Sequence, residues 1–370
     1  MNIDFNPKEF KLLFNLTKDY YPNCIFDNTF SVFKSINNII FLIYGNKEKS
    51  IISYNLINKE KINEIKNAHQ KDISNIRHHL DTINKRDLFL SISAKEYNVK
   101  VWNVTNFQCL LNLNNFDAIY SNKYGYKLCS ACFLTDKNQN YIITSDCSPI
   151  LDSPKSGPIK IFDLNGNLFK EIKSSTNYNT IFIDTFFDEK MSNNYIISGN
   201  CGFIESYDYS NDKIYHKYTH SNDSNHKNPY YSNLIYCYES IIISNLDDTN
   251  NEKTFLKLIA SCSDGFIKIW NFHSGEITKV IKVFGVFLHS ICLINNNYLA
   301  VGCGDKSIKI VDIKTGKLVK VLFGDERDIN CIKKINHPKF GICLITKGNT
   351  EFTYKDNIKL WGNKKYCFYL

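Results

Sequence analysis

The stretch Asp264-Gly265-Phe266-Ile267-Lys268-Ile269-Trp270-Asn271 decides the fold. It opens on an Asp-Gly turn signal and continues as an alternating run, the period of a half-buried β-strand rather than of a helix. The same reading recurs at Asp305-Lys306-Ser307-Ile308-Lys309-Ile310-Val311-Asp312 and at Asn357-Ile358-Lys359-Leu360-Trp361-Gly362. Earlier copies are Asn98-Val99-Lys100-Val101-Trp102-Asn103, Pro158-Ile159-Lys160-Ile161-Phe162-Asp163, Phe203-Ile204-Glu205-Ser206-Tyr207-Asp208 and the weaker Ser50-Ile51-Ile52-Ser53-Tyr54-Asn55.

Working outward, the aromatic-or-equivalent position gives the series Tyr54, Trp102, Phe162, Tyr207, Trp270, Val311 and Trp361, at intervals of 41 to 63 residues. That is a repeat of roughly 40 to 45 residues lengthened by insertions. Between Trp270 and Val311 lie three more β-rich runs, so each unit holds four short strands separated by Gly, Asn or Asp turns. Four strands per period make one propeller blade. The expected architecture is all-β, a propeller of seven four-stranded blades over residues 30–370, with eight blades or an irregular seven left open.

On these residues the chain resembles the WD40-repeat family. In that family a tetrad of His, Ser or Thr, Asp and Trp braces each blade. Asp264 with Trp270 fits the pattern, and His69 with Glu96 and Trp102 fits it loosely. Cys201 takes the Asp position before Tyr207, and Val311 takes the Trp position after Asp305. The isoleucines of each repeat strand face the packing between blades. Lys268 and Lys309 point the other way, their stems along apolar surface and their heads reaching water.

Residues 1–29 read as an N-terminal extension. Asn6-Pro7-Lys8-Glu9 has the form of a helix start, with Asn as cap, Pro at the first position and Glu three residues after the cap. A short helix with Phe10, Leu13 and Phe14 on one side is expected there, and Lys365 to Leu370 is available to close the last blade in place of an N-terminal strand.

The composition narrows the function. With 43% hydrophobic residues in 370, the chain buries a large core and is not disordered. The 45 basic and 37 acidic residues give a net charge of +8, but arginine occurs only as Arg77, Arg86 and Arg327, and the lysines form no runs, so nucleic acid is not an expected partner. Asparagine, about one residue in eight, reflects an AT-rich coding bias more than a function. The first residues lack a signal-peptide core and no apolar run is long enough to span a bilayer, so a cytoplasmic protein is expected, with the nucleus as the alternative and no membrane association. Thirteen cysteines in such a chain read as reduced thiols.

No catalytic or cofactor pattern emerges. Cys129-Ser130-Ala131-Cys132 is the one C-x-x-C, placed on the first strand of blade three with no second ligand pair. Cys262 and Cys303 stand eight residues before their markers and read as small core residues. His216, His220 and His226 with Asp223 read as a polar loop, and His78-His79 near Asp81 as diverging neighbours on a strand. Thr315-Gly316-Lys317 lacks the upstream glycine of a phosphate loop. Neither enzymatic activity nor any cofactor or metal is expected.

The insertions are the informative departures, since loops carry function on a rigid scaffold. Those near residues 147–157 and 219–232 emerge on one face in the WD40 arrangement. They bring Tyr230, Tyr231, His220 and His226 beside Pro149, Leu151 and Pro154, a set suited to anchoring a protein or peptide partner. Ser148-Pro149 and Ser153-Pro154 fit proline-directed phosphorylation. A scaffold or adaptor is the expected function. The alternative is a substrate receptor of a ubiquitin ligase: Leu258 to Asn271 resembles the body of the extended box of such receptors, although His273 stands where its basic residue belongs.

Overall fold

A computed structural model describes residues 5–16, 30–46, 48–93, 96–114, 127–147, 158–173, 180–200, 202–219, 237–244, 256–262, 264–283, 287–324, 328–348 and 358–363. Their strands form seven four-stranded antiparallel sheets. Blade 1 is β2 (Phe30–Lys34), β3 (Ile40–Gly45), β4 (Ile51–Asn55) and β5 (Glu60–Ile65). Blade 2 is β6 (Asn75–Asp81), β7 (Arg86–Ser93), β8 (Asn98–Asn103) and β9 (Cys109–Leu113). Blade 3 is β10 (Lys127–Asp136), β11 (Gln139–Cys147), β12 (Ile159–Asp163) and β13 (Leu168–Ile172). Blade 4 is β14 (Thr180–Asp188), β15 (Asn193–Asn200), β16 (Phe203–Asp208) and β17 (Lys213–Thr219). Blade 5 is β18 (Cys237–Ser244), β19 (Leu256–Cys262), β20 (Phe266–Asn271) and β21 (Ile277–Lys282). Blade 6 is β22 (Leu288–Asn295), β23 (Tyr298–Cys303), β24 (Ser307–Asp312) and β25 (Leu318–Phe323). Blade 7 is β26 (Ile329–His337), β27 (Gly341–Gly348), β28 (Lys359–Asn363) and, as its outer strand, β1 (Phe10–Asn15).

The first strands touch one another in sequence around the ring, and β2 meets β26, which closes it. Seven markers fall on seven third strands: Tyr54 on β4, Trp102 on β8, Phe162 on β12, Tyr207 on β16, Trp270 on β20, Val311 on β24 and Trp361 on β28. The core is correspondingly divided into seven apolar clusters, each filling one interface between adjacent blades. A single blade cannot bury both of its faces, so the ring is the unit that supplies the burial. Close approach is required in places: a Cβ on Gly302 of β23 would stand 2.4 Å from the Ile329 carbonyl oxygen at the interface of blades 6 and 7.

Two expectations are corrected. The helix over the extension is a single turn, Pro7–Glu9, with Asn6 Oδ1 accepting from the Lys8 amide at 3.1 Å. The chain then becomes β1, paired to β28 from Phe10 opposite Asn363 to Asn15 opposite Lys359. The Asn6 cap forms as the sequence predicts, but the open edge of β28 and the burial of Phe10 at 0% exposure outweigh local helix preference. The ring therefore includes residues 10–15 instead of beginning at residue 30, and Lys365 to Leu370 lie outside the described residues. The lysine heads do not reach water either. Lys268 and Lys309 are 5% and 6% exposed, and their ammonium groups bind Asp264 at 2.8 Å and Asp305, each four residues earlier at the turn into the same strand. Blade neighbours cover both faces, so a charge at this position must be paired where it lies.

Among the described residues a complete bracing network stands in blade 2. Trp102 Nε1 donates to Ser91 Oγ at 2.8 Å, Ser91 lies 2.7 Å from His69 Nε2, and His69 Nδ1 lies 3.0 Å from Glu96 Oε2. Every donor meets an acceptor when His69 is neutral, its Nε2 accepting from Ser91 and its Nδ1–H donating to Glu96. Blade 7 keeps part of the arrangement, with Trp361 Nε1 donating to Thr346 Oγ1 at 2.8 Å.

Candidate functional site

Antiparallel order fixes the two faces of the ring. Turns between first and second strands and between third and fourth strands emerge on one face. Connections between second and third strands and between blades emerge on the other. On the first, the turn face, the connections within blades are at most five residues long, except 245–255 between β18 and β19. On the second, the loop face, connections 16–29, 114–126, 148–158, 220–236 and 349–358 each run to ten residues or more. The sequence thus spends its long insertions almost wholly on one side of a rigid disc.

Of the residues expected to bind a partner, Pro149, Leu151, Pro154, His220, His226, Tyr230 and Tyr231 lie outside the described residues, as do Ser148, Ser153 and Asp223. Their segments leave β11 and β17 at strand ends that both lie on the loop face. His216, expected in the same polar loop, is instead on β17 opposite Ser206, with its Nε2 against the His273 carbonyl. Alternation on the outer strand of blade 4 extends further than its polar residues suggested.

The ring encloses a central channel lined by the first strands, with a cavity of about 350 Å³. Charged groups converge there from strands far apart in sequence. Arg77 of β6 reaches Asp184 of β14 with Nη1 to Oδ1 at 3.2 Å, and Lys333 of β26 reaches Glu239 of β18 with Nζ to Oε1 at 3.1 Å. The other Glu239 oxygen accepts from the Ile291 amide of blade 6 at 2.9 Å. Burial disfavours the Lys333 ammonium, but the Glu239 carboxylate outweighs it and raises the Lys333 pKa. Both cations are thus matched by acids from non-adjacent blades. These two pairs cross the channel and tie its walls together.

Sequence reasoning did not find these four residues. Their signal was a charged side chain within the first strand of a blade, as in Ile76-Arg77-His78, and it became legible only once the ring placed those strands around one axis.

The remaining candidates resolve into structural roles. His78 Nε2 lies 2.7 Å from Asp87 Oδ1 and its ring stacks on Phe33, whereas His79 faces Asn140 and stacks on Phe133 of blade 3. Burial lowers the pKa of both, and the two diverge as expected. Cys132 on β10, Cys262 and Cys303 are buried, and burial pushes their thiols up, Cys303 to about 11. Such thiols are poor nucleophiles. His273 is held between blades, its Nε2 3.2 Å from Asp188 Oδ2 and its Nδ1 3.0 Å from the Tyr215 hydroxyl. Among the described residues no group of three or more His, Cys, Asp or Glu is placed to hold a metal ion. No described helix is long and apolar enough to cross a membrane.

No family model matches the chain. A 67-residue segment is 34% identical to the U3 small nucleolar RNA-associated protein 21 homolog of Schizosaccharomyces pombe. That segment is 18% of this chain and 7% of that protein's length.

Proposed function

We propose that this seven-bladed β-propeller, whose repeat fits the WD40 family, is a non-catalytic scaffold or adaptor that holds a protein or peptide on its loop face. The observation that carries the reading is the asymmetry of the disc: five connections of ten or more residues on the loop face against one on the turn face. Rigid blades with variable loops are the usual division of labour in a binding scaffold. Pro149, Leu151, Pro154, His220, His226, Tyr230 and Tyr231 are the proposed contact residues, with the two tyrosines as anchors, because an aromatic ring buries much area for little lost rotamer freedom. Among the described residues, the buried cysteines, His69, His78, His79, His273 and the four channel charges are engaged in packing or pairing, and the loops supply the remaining candidates.

The test is affinity purification from the native cell with the wild-type chain and a Tyr230→Ala, Tyr231→Ala variant. A defined set of proteins lost only with the variant supports the reading, and an unchanged set refutes the proposed rim. A second reading follows from the RNA association in the relative's name: a scaffold within a ribonucleoprotein, and hence a nuclear protein. Nuclease treatment before purification separates the two, since a partner held through RNA is then lost from the wild type.

A further inference from the structure

The turn face carries a charge pattern that the loop-face reading does not use. Five consecutive blades each place a lysine on the turn between first and second strands, or beside it: Lys339 in blade 7, Lys34 in blade 1, Lys85 in blade 2, Lys137 in blade 3 and Lys190 in blade 4. All are exposed except Lys339, which is half-buried. The acids of the same turns face inward. Asp81 is buried and bound by Asn84 and Arg86; burial pushes its carboxyl up, but these hydrogen bonds outweigh that and hold it at about 2. Asp87 accepts from His78 and from the Ile36 amide, Asp136 accepts from Asn194, and buried Asp188 accepts from the amides of Lys190 and Met191. Glu189 is the one exposed acid among these five described turns. The outward charge is therefore a basic half-ring around one mouth of the channel.

Apolar side chains lie among these cations. Ile36 is 50% exposed, Leu80 45%, Ile83 38%, Phe187 52% and Met191 61%. Elsewhere among the described residues exposed apolar side chains fall mostly on the outer strands, but Ile36, Ile83 and Met191 lie on the inner turns of blades 1, 2 and 4, and Leu80 and Phe187 on the last residues of the first strands that lead into them.

We infer that this half-ring is a second docking surface, on the face opposite the long loops, and that its occupant is an acidic segment of another protein with apolar residues set among the carboxylates. Lysines that outnumber the exposed acids of these turns five to one select negative charge and raise the association rate, while the interleaved Ile, Leu, Phe and Met supply burial. Nucleic acid fits less well, because the one arginine of these turns, Arg86, is bound to Asp81 and Phe187 is their one exposed aromatic ring, where stacking and bidentate contacts would need more. A bilayer fits less well because the apolar side chains are only about half exposed, resting on the turns instead of projecting from them.

The experiment uses the full chain and a short fluorescent peptide alternating glutamate with leucine and phenylalanine, read by anisotropy at low and high salt. Saturable binding is expected, falling as salt is raised from roughly 50 to 300 mM. It should weaken about tenfold or more in a Lys34→Glu, Lys85→Glu, Lys137→Glu variant. A loop-face control, Lys282→Glu with Lys306→Glu, and the Tyr230→Ala, Tyr231→Ala variant should bind as wild type does, so failure here is distinguishable from failure of the loop-face reading. Circular dichroism melts confirm that each variant is folded. Absence of binding, or equal binding by the lysine variant, overturns the inference. So does lysine-dependent binding to phosphatidylserine vesicles or to poly(U) without binding to the peptide.

Discussion

Acidification should unlock blade 2 through His69. The ring is fully buried between Ser91 and Glu96, and burial lowers its pKa from 6.5 to about 4 in spite of the neighbouring carboxylate. In the unfolded chain it titrates near 6.5. Between these values the unfolded state binds more protons than the folded one, so stability is whole above pH 6.5, declines as pH falls, and is lost by pH 4, below which both states are protonated. A difference of about 2.5 units corresponds to up to about 3 kcal/mol, a large share of a marginal folding free energy. Structure supplies the cause: a protonated Nε2 can no longer accept from Ser91, whose hydroxyl already accepts from Trp102. Urea unfolding followed by tryptophan fluorescence between pH 7.5 and pH 4 measures this against a His69→Phe variant. The variant should be less stable at pH 7.5 but lose up to about 3 kcal/mol less on acidification. Parallel pH profiles for the two proteins would refute the reasoning.

Three further outcomes follow. Phe10→Ala should cost about 3 to 5 kcal/mol, because Phe10 is fully buried between blades 6 and 7; a merely appended extension would lose almost nothing in a thermal melt. Gly302→Ala should destabilise by about 1 to 3 kcal/mol, since the new methyl would meet the Ile329 backbone, which cannot swing aside as a side chain could. Glu239→Ala should lower the urea midpoint by more than Asp184→Ala does, because Glu239 is 17% exposed and binds both Lys333 and the Ile291 amide, whereas Asp184 is 49% exposed and its pair is better screened.

Much of the fold was legible because the alternating strand beginning at a turn is a local signal, repeated seven times. Trp270 and Trp361 announce it strongly. Tyr54 and Val311 do so only by position, yet the ring buries Val311 at 1% exposure in the place of the larger ring. What escaped was non-local. Phe10-Lys11-Leu12-Leu13-Phe14 satisfies both a helix face and a strand, and only the open edge of β28, some 350 residues away, chooses between them. Ser91, the bridge between Trp102 and His69, is one serine among many until β7 and β8 are paired. Arg77 with Asp184 and Lys333 with Glu239 meet only across the channel, and the lysines of the turn face gain meaning when five turns are brought around one mouth. The proposed contact residues stand out by the opposite kind of signal, interruption of the repeat, and their segments start from strand ends on the loop face.

The claim that partners are held on the loop face is tested most directly by site-specific photo-crosslinking in the native cell. A photoreactive residue is placed at Leu151 or Tyr231, and for comparison at Phe169 on the exposed outer strand of blade 3. Crosslinks to the same discrete protein from Leu151 and Tyr231, and none to it from Phe169, are the predicted result. Crosslinks to that protein from Phe169 alone would contradict the account.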